Sequence, residues 1–152
     1  QTNHRMKKET HNNMIPSTTV RVLVRFSEVD SINMVWHGHY IKYMEDAREA
    51  FGRQFGLEYM YIYKNNYMAP IFDVKMRYHH TATVDDILLV TIKYRPSRGA
   101  KLVFEYEIRK EKDNTLVLTA ETTQLFTNLQ GELETSSPEF LNEWKIKYGI
   151  CL

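Results

Sequence analysis

The chain has 152 residues, a mass of 18.1 kDa and a formal charge of +1, from 20 basic and 19 acidic side chains. That length suits one domain, which buries roughly 69% of the unfolded chain's surface and needs no metal or disulfide staple. The balanced charge argues against a non-specific nucleic-acid binder, and the single cysteine, Cys151, excludes an internal disulfide framework and a cysteine-only zinc site.

Residues 1–17 are polar, rich in Asn, His and Lys, and lack the apolar run of a secretory signal. They are expected to form a flexible lead-in, with His4 and His11 solvated rather than metal-bound, ahead of a single domain over residues 18–152. No apolar run reaches the length of a transmembrane helix, so membrane insertion is not expected. The lone thiol fits a cytoplasmic protein.

Residues 20–26 alternate, with Val20, Val22, Val24 and Phe26 on one face and Arg21 and Arg25 on the other, which predicts a strand with one buried face. Leu23 interrupts the polar face and suggests that it is partly covered. Residues 27–38 lose periodicity and read as a loop carrying Glu28, Asp30, Ser31 and Asn33. A helix is predicted over residues 39–55, because Tyr40, Met44, Ala47, Phe51 and Phe55 recur at spacings of three and four along one stripe. Glu49 and Arg53 pair in the favourable order, Gly56 is placed to end the helix in the left-handed conformation, and Gly52 weakens it or marks a close contact.

Residues 57–67, with Tyr59, Tyr61, Tyr63 and Tyr67, fit a short second helix or a lid-like segment, their aromatic rings expected in the core and a pocket wall. Four further strands are predicted over residues 71–80, 87–94, 101–110 and 116–127. In the third of these, Leu102, Phe104, Tyr106 and Ile108 alternate with Val103, Glu105, Glu107 and Arg109. Asp113-Asn114 reads as a hairpin turn. A closing helix is predicted over residues 138–147, with Ser137 as N-cap and Pro138 in the first turn. Strands joined by short turns favour antiparallel pairing, and the long helix must bury its stripe against them. The expected class is therefore α+β, a curved antiparallel sheet of five strands wrapped around a central helix.

The stretch from Val24 to Tyr40 carries the candidate chemistry. A strand ends there, Asp30 sits in the loop, and a helix begins. Amides at a helix start are unpaired and carry partial positive charge, which suits them to an oxyanion. Asp30 is then a candidate base or nucleophile, and His37 titrates near neutrality. An Asp before a helix is also often a turn residue, and both readings stay open on the residues alone.

Residues 22–53 resemble the motif region of the hotdog-fold thioesterases of the 4-hydroxybenzoyl-CoA thioesterase type, with the acyl-CoA thioesterases associated with the Tol-Pal system as the nearest subgroup. The pattern is carried by Arg25, Phe26, Glu28, Asp30, Val35, Trp36, His37, Tyr40, Glu45, Ala47 and Arg48, and weaker similarity extends over residues 20–128. The resemblance implies hydrolysis of acyl-CoA thioesters, with Asp30 as nucleophile or general base. It further implies backbone amides at His37 and Gly38 as oxyanion donors, and a His37 ring that orients water or protonates the leaving thiolate. It implies no metal and no cofactor beyond the CoA of the substrate, and a homodimer or tetramer with the active site at the shared interface. It also places CoA phosphates at the turn between the third and fourth strands, where Arg98 fits best and Arg95 and Lys101 flank it. Phe26 departs from the subgroup, which often has a hydroxylated ring there, and Thr81 and Asp85 stand where relatives carry Pro and Gly.

Glu45 is expected to pair with Arg48 rather than to act in catalysis. His79 and His80, adjacent in a predicted strand, face opposite ways and make a poor metal site. Competing readings are a non-catalytic acyl or CoA binder, a thioesterase acting on acyl carrier protein, and a hotdog dehydratase or hydratase. The net charge conceals segregation, because residues 93–101 contain bases and no acid while residues 121–143 contain acids and no base.

Overall fold

The structure, a computed structural model, describes residues 15–152. His4, His11 and most of the expected lead-in lie outside the described residues. Five strands, β1 (Ser17–Leu23), β2 (Ile71–Tyr78), β3 (Ile87–Arg95), β4 (Lys101–Lys110) and β5 (Leu116–Leu125), form one antiparallel sheet in the order β1-β3-β4-β5-β2. The helices are α1 (Tyr40–Phe55), α2 (Tyr59–Lys64) and α3 (Glu139–Lys147). This is the α+β hotdog fold, a curved sheet around a long central helix.

Period-two patterning builds its core. Leu88, Val90, Ile92 and Tyr94 of β3 and Leu102, Phe104, Tyr106 and Ile108 of β4 are buried on the concave face. They meet the α1 stripe of Tyr40, Met44, Ala47 and Phe51, joined by Tyr43, and the Phe51 and Phe104 rings lie 5.0 Å apart. Each such burial is worth about 1.5–3 kcal/mol. Gly56 ends α1 at φ 77° with its N–H on the Gly52 carbonyl. Gly52 marks a close contact, since a Cβ there would lie 3.0 Å from the Leu57 carbonyl oxygen.

Three local expectations are corrected. β1 starts at Ser17 and stops at Leu23, because its partner β3 begins at Ile87, the residue paired with Leu23. Beyond it the chain leaves the ladder, and Phe26 sits in a 3-10 turn, 82% exposed rather than buried; Leu23 is likewise exposed. Residues 59–64 form a short helix, α2, one of the two expected forms; Tyr59 lines a cleft as a pocket wall, but Tyr59, Tyr61 and Tyr63 are exposed rather than in the core, where Ile62 sits. At α3, Pro138 occupies the cap position, and the Ser137 hydroxyl donates instead to Asn142 Oδ1 at 2.8 Å.

The strand register decides which loops share an end of the sheet. Ser17 pairs with Lys93 and Leu23 with Ile87, Lys101 pairs with Leu125, and Ile71 pairs with Gln124 while Tyr78 pairs with Leu118. One end therefore holds the exit of β1, the entry of β3 and the exit of β2. The other holds the β3–β4 hairpin and the entry of β2. Strands β1 and β2 are the two sheet edges.

Candidate active site

After β1 the chain makes a small hairpin against the turn that precedes β3. Trp36 N–H donates to the Glu28 carbonyl at 3.1 Å, Val35 N–H donates to the Ala82 carbonyl at 2.8 Å, and Val29 bridges Val35. Asp30 begins its tip. One carboxylate oxygen, Oδ1, accepts the Ile32 and Met34 amides at 3.0 and 3.2 Å. Oδ2 takes no hydrogen bond among the described residues, and the side chain is exposed. Asn33 closes the tip at φ 60°, a conformation asparagine tolerates better than most residues. Asp30 is thus a turn residue and also a carboxylate with one uncommitted oxygen.

The helix prediction beginning at residue 39 is corrected by one 3-10 turn, His37–His39, that feeds α1 at Tyr40. The His37 and Gly38 amides, at the head of that turn, donate to no acceptor among the described residues. The His37 carbonyl accepts the Tyr78 hydroxyl at 2.8 Å. A Cβ on Gly38 would fall 2.5 Å from two atoms of the exposed Trp36 ring, so a side chain there requires that ring to move. The Trp36 and His37 rings lie 5.2 Å apart.

Beneath this turn lies a polar cluster that the sequence does not disclose. Glu28 Oε2 meets His39 Nε2 at 2.7 Å, and Oε1 accepts the Tyr43 hydroxyl at 3.1 Å and the Arg25 amide at 2.8 Å. Burial alone raises the Glu28 carboxyl, but these donors hold it below its ordinary value. Burial first, then the Glu28 charge, push the Tyr43 hydroxyl well above the ordinary tyrosine range. The one local signal is that His39 and Tyr43 are four apart on a helix face; Glu28 arrives from another element.

A cleft of about 760 Å³ opens beside the second half of α1, lined among others by Arg48, Phe51, Tyr59, Met68, Ile71 and Leu102. Glu45 and Arg48 both line it, and the expected Glu45–Arg48 bridge is not among the ion pairs of the described residues. Asp30 and His37 do not line this cleft. It lies at the hairpin end of the sheet, roughly 26 Å along β3 from the Asp30 end at about 3.3 Å per residue.

The three predicted hairpin cations have different fates. Arg95 is bound to Glu121 at 2.5 Å and faces Glu105 at 3.8 Å on the outer face of the sheet. Arg98 and Lys101 have no ion-pair partner among the described residues, and Arg98 is exposed. His79 and His80 bond Thr119 Oγ1 and the Leu116 carbonyl. No group of three or more His, Cys, Asp or Glu side chains among the described residues converges as metal ligands, and no helix there is long and apolar enough to cross a membrane.

Residues 24–145 match the thioesterase-like superfamily. The chain belongs to that superfamily. The match begins at the end of β1 and runs into α3, so it takes in the Asp30 tip, the turn before α1 and the β3–β4 hairpin. Among curated relatives of the superfamily member, YneP of Bacillus subtilis is 27% identical over 85 residues, 56% of this chain and 62% of that protein. The aligned part is thus less than two thirds of YneP. The acyl-CoA thioesterase YbgC of Haemophilus influenzae is 27% identical over 105 residues, 68% of this chain and 75% of that protein. In three dimensions, the DHNA-CoA thioesterase from Staphylococcus aureus superposes with a TM-score of 0.77 at 20% identity, covering 88% of this chain and 91% of that one. That last likeness speaks for the fold alone.

Proposed function

We propose that this protein hydrolyses acyl-CoA thioesters to the free acid and CoA, with Asp30 as the reacting carboxylate. The observation that carries the reading is the uncommitted Oδ2 of Asp30 in the same loop as the unpaired His37 and Gly38 amides. Membership of the superfamily and the identity to YbgC support the substrate class. The amides polarise the thioester carbonyl and hold the oxyanion as it forms. As nucleophile, Asp30 adds to that carbonyl, the C–S bond breaks, CoA leaves as thiolate, and water cleaves the resulting mixed anhydride. As general base, it takes a proton from the attacking water instead. The His37 ring orients that water or protonates the thiolate. The Arg25–Asp30 and His37–Tyr40 pattern supports a place with the Tol-Pal-associated subgroup.

The site is completed by a second copy of the chain. Asp30 and His37 lie at one end of the sheet, and the cleft, Arg98 and Lys101 at the other. The edge strand β2 exposes Ile71, Phe72, Val74 and Tyr78. Antiparallel pairing of two β2 edges about a twofold axis sets the Tyr78 end of one copy beside the Ile71 end of its partner. Asp30 of one protomer then faces the cleft and hairpin of the other. CoA phosphates sit on Arg98 and Lys101, with Arg95 left to its two glutamates.

Asp30→Asn tests the reading, because Asn Oδ1 still accepts the Ile32 and Met34 amides and the loop is kept. Thiol release from a panel of short, long and aromatic acyl-CoAs should fall at least a thousandfold. Retained turnover would remove Asp30 from the chemistry, and wild-type binding of CoA esters without turnover would leave a binding protein.

A further inference from the structure

Lys145 of α3 is one of the largest fully buried side chains, 1% exposed, and it has no carboxylate partner among the described residues. Its ammonium donates to the Ser97 carbonyl at 2.8 Å, and no other hydrogen bond among the described residues engages it. Two further buried polar groups, the Tyr94 and Ser97 hydroxyls, stand close to one another at the same place and make no hydrogen bond of good geometry among the described residues. Tyr94 packs its ring 5.0 Å from Trp144, the residue before Lys145. The cluster lies directly under the β3–β4 hairpin, whose tip carries Arg98.

A buried ammonium with a single carbonyl acceptor is costly, and a methionine of similar length would fill the space without that cost. The charge therefore has to be accounted for by something other than packing. No Asp or Glu occurs between Ile87 and Phe104, so nothing in the hairpin neutralises it. Its field, weakly screened in the interior, reaches whatever anion rests on the hairpin.

We propose that Lys145 is a positioning residue of the CoA-phosphate hairpin, holding the Ser97 carbonyl so that Arg98 is presented outward and adding a buried positive charge beneath the bound phosphates. The inference rests on the proposed reading that Arg98 and Lys101 meet those phosphates. It explains why α3 closes over this end of the sheet with a lysine rather than an apolar side chain.

The test compares the affinity of the full chain for CoA and for pantetheine, which keeps the thiol arm and lacks the nucleotide and its phosphates, by titration calorimetry. Lys145→Met should weaken CoA about five- to tenfold, leave pantetheine unchanged, and melt no lower than the wild type. Lys145→Gln, which keeps a donor for Ser97 but no charge, should show the same selectivity with a smaller loss, and it serves if the first variant does not fold. Arg98→Gln should also weaken CoA alone. Equal losses on both probes, or no loss for either Lys145 variant while Arg98→Gln weakens CoA, would overturn the role of Lys145. If Arg98→Gln leaves CoA affinity intact, or the wild type binds no CoA, the phosphate reading of the hairpin falls and this inference with it.

Discussion

The Tyr78 hydroxyl donates to the His37 carbonyl oxygen at 2.8 Å, tying the exposed edge of the sheet to the turn before α1. That carbonyl shares a rigid peptide plane with the Gly38 N–H, so the bond also sets the direction of a proposed oxyanion donor. Tyr78 packs its ring 5.7 Å from Tyr40, which fixes the tyrosine from the helix side.

Tyr78→Phe keeps that ring packing and deletes the bond. It should lower stability by only about 1 kcal/mol. It should lower kcat/KM for acyl-CoA roughly tenfold, because a misaimed oxyanion donor forfeits part of the hundredfold or more that such a donor is worth. Steady-state thiol release alongside thermal melting checks both; an unchanged kcat/KM would show that the peptide is held without Tyr78.

Gly38→Ala drives a methyl group into the Trp36 ring, which lies 2.5 Å from where the Cβ must go. The indole has to swing away and give up its place 5.2 Å from the His37 ring, so activity should drop while the fold persists. Trp36→Ala combined with Gly38→Ala removes the clash and should recover much of the loss. Thiol-release assays of the single and double variants decide it, with coupling between the two sites as the expected signature.

Phe72 and Val74 are exposed on the β2 edge. Lysines at both positions should block edge pairing. Light scattering should then report the mass of a single 18.1 kDa chain, and hydrolysis should vanish, since the proposed site draws Asp30 and the cleft from different copies. A fully active monomer would overturn the composite site.

Asp86, 7% exposed, accepts Thr83 N–H at 2.9 Å and meets Lys112 and Lys110 at 3.2 and 3.3 Å. Burial alone raises its carboxyl, yet the Thr83 amide and the two lysines hold it below its ordinary value. A depressed folded value stabilises fully above the unfolded pKa of about 3.9 and ceases to do so as pH falls through the folded value. Asp86→Asn should therefore cost about 2 kcal/mol at pH 7. The gap in denaturation midpoint from the wild type should narrow as pH is lowered from 5 toward 2. A gap independent of pH would mean that Asp86 acts by shape alone.

Much of the architecture was legible in the chain because its causes are local. Alternation along Leu102–Ile108 and the stripe from Tyr40 to Phe51 each name a buried face without knowledge of the partner. The Asp30 turn and the Gly56 cap follow from side-chain and backbone preferences within a few residues. Asp85 adopts φ 69°, a left-handed turn conformation that an aspartate tolerates better than most residues.

What depended on partners was not legible. The end of β1 was set by where β3 begins, so Phe26 continued an alternating pattern yet fell outside the ladder. Arg95 and Arg98 read as one basic cluster, but pairing of β3 with β4, and of β4 with β5, gives Arg95 two glutamates and leaves Arg98 none among the described residues. Glu28, His39 and Tyr43 meet only because a loop and a helix are brought together. The wide separation of Asp30 from Arg98, on which the proposed two-copy site rests, likewise follows from strand register. Periodicity is a property of one segment and survives in the sequence. Register, charge pairing and the end of the sheet on which a loop emerges are properties of two or more segments, and only the folded chain brings those segments together.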